Sequence, residues 1–190
     1  MKLLRLLPIG NCDGPLLQEL GAALAAVFQA DWKLSPHVLD PEFAFHPERQ
    51  QYHSSEILAA MQPEADGQCW RVLGVAAVDL YIPILTFVFG EAQIGGPCAV
   101  TSSYRLRQEF YGLPGDPEML RARLLKEAVH EIGHTVELSH CHDYRCAMAS
   151  SHAVEWIDLK EAWLCELCRA KALASGRTAL AAGSRFPART

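Results

Sequence analysis

The histidines at positions 130, 134 and 140 constrain this chain more than any other feature in it. His130 and His134 are four residues apart, so a helix places both imidazoles on one face. If that helix ran on, His140 would lie about 9 Å beyond His134. Three imidazoles sharing one partner therefore require the helix to stop soon after His134 and the chain to turn back. Glycine ordinarily supplies such a reversal, because it accepts positive φ without a Cβ clash. Here position 137 is glutamate. We expect Glu137 to take positive φ. In one alternative Leu138 and Ser139 make the turn, and in another the Glu137 carboxylate is itself a metal ligand.

Neutral imidazole is a good zinc ligand. Glu131, beside the first histidine, is placed to reach water at a metal rather than the metal. The bare HExxH pattern also arises from two surface histidines on a polar helix face, and His140 tips the balance towards a metal. The seven cysteines are Cys12, Cys69, Cys98, Cys141, Cys146, Cys165 and Cys168. The last four form two close pairs in a chain whose start, MKLLRLLPIG, is broken by Arg5 and Pro8 and does not read as a secretory signal. Such spacing fits metal ligation better than free thiols or two disulfides. Four thiolates make a closed tetrahedral zinc site with a structural role. Cys12, Cys69 and Cys98 are expected to be small buried hydrophobes.

Leu3–Ile9 reads as a first strand. Leu16, Leu17, Leu20, Leu24, Val27 and Phe28 recur at helical spacing. Residues 33–39 suggest a short strand, and 54–61 a helix capped by Ser54. The apolar run RVLGVAAVDL at 71–80 suits a strand covered on both faces. VTSSYRLR at 100–107 alternates, which suggests an edge strand antiparallel to 87–89. Asp116-Pro117 starts a helix whose stripe of Leu120, Leu124, Ala128 and Ile132 leads into the histidines. A last helix is expected over 158–174.

The stretch HEIGHTVELSHCHDYRCAM at 130–148, followed by CELC at 165–168, resembles the metzincin metallopeptidases and more narrowly the archaemetzincins. Their pattern is HExxHxxGxxH, a cysteine, x4-C-x-M and a distant C-x2-C. Upstream, DLYIPILTFVFGEAQIGGPCAVTSSYRL is also similar to that family's strand region. Glu137 is the departure, standing where the family has glycine. Its strain of roughly 1–2 kcal/mol in the left-handed region is small beside the 10–16 kcal/mol or so that a structural zinc can supply.

The resemblance implies an α/β (α+β metzincin-like) fold. Its elements are a small mixed β-sheet with an antiparallel edge strand, and flanking helices that include the HExxH helix. One domain would span 1–190, with 175–190 as a surface tail. It implies two Zn2+ per chain. One is catalytic, on His130, His134 and His140, with Glu131 as general base. The other is structural, on Cys141, Cys146, Cys165 and Cys168. Met148 would be the Met-turn residue forming the floor of the site. The expected partner is a peptide, pairing with the edge strand near 99–104. Trimming of short peptides from the amino end is one form of the activity, and the residues leave open which end is attacked. A two-zinc binding protein with little catalysis is the rival reading, supported by Glu137.

A net charge of −5 without basic clustering disfavours nucleic acid as a partner. No apolar run approaches the length of about 20 residues needed to span a bilayer. A cytoplasmic location is expected, and the sequence gives no oligomeric state.

Overall fold

The run Arg71–Ala76 is buried at every position, and it lies at the centre of a five-stranded sheet. The computed structural model describes residues 2–174. In chain order the regular elements begin with β1 (Leu3–Ile9), α1 (Gly14–Phe28), β2 (Asp31–Leu34), β3 (Phe45–His46), β4 (Gln51–His53) and α2 (Ser54–Ala60). They continue with β5 (Arg71–Ala76), β6 (Leu80–Tyr81), β7 (Gly90–Ala92), β8 (Cys98–Ser102), α3 (Pro117–Thr135), α4 (Val154–Leu159) and α5 (Glu166–Ala174). The main sheet has the order β2-β1-β5-β8-β7, parallel except for β7, which runs antiparallel to β8. A smaller sheet has the order β3-β4-β6.

Side-chain alternation explains why the central strands read as continuous apolar runs. Leu4, Leu6, Leu73, Val75 and Ala99 point into a core shared with α1, α3 and α5. Leu7, Ile9, Val72, Ala76, Cys98 and Val100 point to the other face, against Ile57, Leu58 and Met61 at α2. On α3, Leu124, Ala128 and Ile132 are fully buried, as their spacing requires. The Asp116 carboxylate caps that helix, accepting from the Met119 N–H at 2.9 Å.

Several expectations need correction. The strand expected at 33–39 is β2, at 31–34; beyond it Leu39 makes only a single bridge to Ile9. The run at 71–80 is two strands, because the chain bends after Ala76 and Leu80–Tyr81 joins the smaller sheet. Ser54 does not cap α2: His53 holds the cap position, and the Ser54 hydroxyl bonds Tyr81 O and the Glu91 carboxylate instead. Residues 100–107 are not an edge strand. β8 ends at Ser102 and is flanked on both sides, while β7 is the antiparallel edge. The alternating hydroxyls do not face water. Thr101 donates to Phe89 O, Ser102 to Val78 O and Ser103 to Ala76 O.

The helix expected over 158–174 is two helices, α4 and α5, with Cys165 immediately before the second. Cys98 is buried, but Cys12 and Cys69 are only partly so. The expected tail at 175–190 lies outside the described residues. No helix among the described residues is long and apolar enough to cross a membrane.

Candidate metal centres and catalytic cleft

α3 carries His130 and His134 one turn apart and ends at Thr135. Arg71 helps to hold that end, donating from Nη2 to Thr135 O at 2.9 Å and from Nε to Thr135 Oγ1 at 2.7 Å. Glu137 then adopts φ 70°. Its N–H donates to His134 O at 3.0 Å, and the Leu138 N–H donates to Gly133 O at 3.1 Å. These are the two bonds of a Schellman motif, with the residue after the cap left-handed. Glu137 is exposed, and the ligand cluster consists of the three histidines without it.

The reversal brings His140 back. One ring nitrogen from each of His130, His134 and His140 lies within 4.8 Å of the others. His130 Nδ1 is 2.8 Å from Ala147 O, and His134 Nδ1 is 2.8 Å from Leu138 O. A carbonyl can only accept, so each Nδ1 carries the hydrogen and each Nε2 presents a lone pair. Those two Nε2 atoms are 3.1 Å apart. Two imidazoles on one tetrahedral zinc at 2.0–2.1 Å would be separated by about 3.3 Å. Burial pushes the pKa of all three histidines down, furthest for His130, so the neutral form that binds metals is favoured.

Glu131 is buried beside this cluster, against β7. A Cβ on Gly90 would stand 2.7 Å from Glu131 Cγ and 2.6 Å from Val100 O, so only glycine lets the carboxylate pass there. Burial, reinforced by the charge of Glu127, pushes the Glu131 carboxyl well above its ordinary value. Met148 is fully buried under α3. A Cβ on Gly133 would lie 2.3 Å from its sulfur, so glycine is again what permits the approach.

Sequence reasoning missed the support beneath the cluster. Lys160 Nζ sits 2.7 Å from Glu127 Oε1, and both side chains are almost wholly buried. Lys160 also donates to Ala149 O at 3.0 Å and to Ala147 O at 3.4 Å, the latter being the carbonyl that His130 uses. A lone lysine in a polar stretch gives no signal of such burial. Gly90 was likewise missed, although a glycine inside a strand often marks a close approach.

The sulfurs of Cys141, Cys146, Cys165 and Cys168 also lie within 4.8 Å of one another. Cys141 and Cys165 are 3.7 Å apart, against about 3.8 Å for two thiolates at 2.3 Å on a tetrahedral zinc. Burial pushes the Cys146 thiol up to about 11. Thiolates at such a site therefore call for a compensating cation.

The histidines and Glu131 open into a cleft of about 620 Å³, lined also by Ile82, by residues 85–92 and by residues 150–152. β7 lies along it, whereas the segment first expected to pair with a peptide is inside the sheet.

Residues 37–173 match Peptidase family M54. The chain is 40% identical to the archaemetzincin of Methanocaldococcus jannaschii over 164 residues, covering 86% of this chain and 89% of that one. The crystal structure of the Archaeoglobus fulgidus archaemetzincin, complexed with malonate, superposes with a TM-score of 0.78 at 34% identity. That match covers 89% of this chain and 99% of the other. A zinc-dependent peptidase from Methanocorpusculum labreanum gives 0.81 at 28% identity over the same shares. With its histidine cluster, cysteine cluster and mixed sheet, the chain belongs to peptidase family M54, the archaemetzincins.

Proposed function

We propose that this protein is a zinc-dependent metallopeptidase, with His130, His134 and His140 as ligands of the catalytic zinc. One observation carries the reading. Two Nε2 lone pairs face each other 3.1 Å apart while both Nδ1 hydrogens are committed to carbonyls. With both rings neutral, as their burial favours, no hydrogen sits between the two nitrogens, and a shared cation turns their repulsion into attraction. Zinc in that position supplies Lewis-acid polarisation of a carbonyl and eases deprotonation of water. Glu131 takes the proton from the attacking water and returns it to the leaving amine. Met148 closes the floor beneath α3.

Cys141, Cys146, Cys165 and Cys168 hold a second, structural zinc that ties the segment after His140 to α5. An extended peptide lies along β7, pairing with the sheet edge by strand addition. Amino-terminal trimming of short peptides and a cytoplasmic location belong to the same reading.

The test counts zinc before and after mild chelation and follows cleavage of a quenched peptide library. Chelation should remove one of two zinc ions, and cleavage with it, while the fold stays. Undiminished cleavage after removal of that zinc would overturn the zinc-dependent mechanism, and no cleavage by the zinc-loaded protein would overturn the peptidase reading. A single tightly held zinc that survives Cys165→Ser and Cys168→Ser would overturn the four-cysteine assignment.

A further inference from the structure

Residues 82–89 form one wall of the cleft without belonging to any helix or strand. Ile82, Leu85, Phe87 and Phe89 line the cleft from this segment, and Ile94 does so from beyond β7. Only one backbone bridge, Leu80 with Val88, anchors the segment to the smaller sheet, through the Val88 N–H to Leu80 O at 2.9 Å.

Phe89 O is held in the main sheet by the Ser102 N–H at 2.8 Å, and polar side chains hold the stretch between. Arg49 Nη2 donates to Leu85 O at 2.8 Å and to Thr86 O at 3.0 Å. Arg49 Nε donates to Gln51 Oε1 at 3.0 Å. Gln51 Nε2 in turn donates to Thr86 O and to Asp79 Oδ2, each at 3.0 Å. Arg105 grips Asp79 through two bonds of 2.6 and 2.7 Å, and its guanidinium lies 4.1 Å from the centre of the Phe87 ring. Gln51 and Asp79 are buried. Paired, charge-assisted bonds of this kind fix orientation as well as adding energy.

We propose that Arg49, Gln51, Asp79 and Arg105 are positioning residues that hold the 82–89 wall, and that this wall selects peptides with a large apolar side chain beside the scissile bond. The proposal rests on the peptidase reading above. A peptide bond placed at the histidine cluster sets its flanking side chains against this wall, since both line the same cleft. A formed apolar pocket discriminates by roughly 10–200-fold per methylene. A wall that must first be ordered by its ligand gives less, because that ordering opposes binding.

The experiment uses the zinc-loaded chain and two peptides that differ only in Leu or Ala beside the cleaved bond. The wild type should favour the Leu peptide at least about tenfold in kcat/KM. In Arg49→Ala that preference should collapse towards unity, mainly through a higher KM for the Leu peptide, with zinc content unchanged. Hydrogen exchange of the amides at 82–88 should accelerate in the same variant. Leu85→Ala should weaken the preference without changing that exchange. Equal cleavage of both peptides by the wild type would overturn the substrate class. Unchanged preference and unchanged exchange in Arg49→Ala would overturn the positioning role. Absence of any cleavage by the wild type would instead refute the peptidase reading, and the exchange comparison would still decide the role of Arg49.

Discussion

Replacing Glu137 with glycine should leave the protein as stable as before or more stable, despite removing an exposed acidic side chain from the turn between His134 and His140. The residue stands at φ 70°, in the position after the α3 cap. An L residue in the left-handed region costs roughly 1–2 kcal/mol. Glycine relieves that strain but loosens the unfolded chain, which takes back about 0.4–1 kcal/mol. The net gain is between zero and about 1.5 kcal/mol. For a chain of this length, each kcal/mol shifts Tm by about 2–4 °C. Thermal and urea unfolding of the zinc-loaded variant would measure the gain, and chelator competition would report on the metal. Glu137→Asn should behave similarly, since asparagine tolerates this conformation, while Glu137→Val should lose stability. A clear loss of stability or of zinc affinity in Glu137→Gly would refute the reasoning. It would show that the glutamate side chain contributes more than its backbone strain costs.

Lys160→Met should cost about 3–5 kcal/mol in urea unfolding, because it leaves the Glu127 carboxylate buried without its cation. The double variant Glu127→Leu, Lys160→Met should recover much of that loss, and a double variant as damaged as the single would contradict this view. Acid stability should depend on Glu64, whose carboxyl is held below its ordinary value by a hydrogen bond from His37, against burial, and by Ser35 and Arg5. A depressed carboxylate contributes stability above its unfolded value, near 4.5, that disappears as pH falls through the lower folded value. Glu64→Gln should therefore flatten the acid limb of unfolding free energy against pH, and an unaltered limb would exclude the Glu64 cluster as its origin.

Much of this architecture was legible because it rests on local rules. The spacing of His130, His134 and His140 demanded a helix end and a reversal, and Glu137 does take positive φ. Apolar periodicity located α1 and α3, the apolar run at 3–9 located β1, and Asp116-Pro117 marked the start of α3. What escaped depended on partners distant in sequence. The alternation at 100–107 reads as an edge strand with Thr101 and Ser103 on a wet face, yet those two hydroxyls satisfy carbonyls of neighbouring segments. The edge of the sheet passed to β7, whose three residues GEA carry no strand periodicity. Lys160 is buried only because Glu127 and the carbonyls of Ala147 and Ala149 converge on it from elsewhere in the chain.

The most direct test of the central claim is Glu131→Gln, assayed for peptide cleavage and zinc content on the same sample. Glutamine keeps the shape of the buried side chain against Gly90 but cannot accept the proton. Cleavage should fall by roughly 10²–10⁴ while zinc stays at the wild-type level. Equal cleavage by both proteins, with zinc retained, would contradict the account and place the base elsewhere.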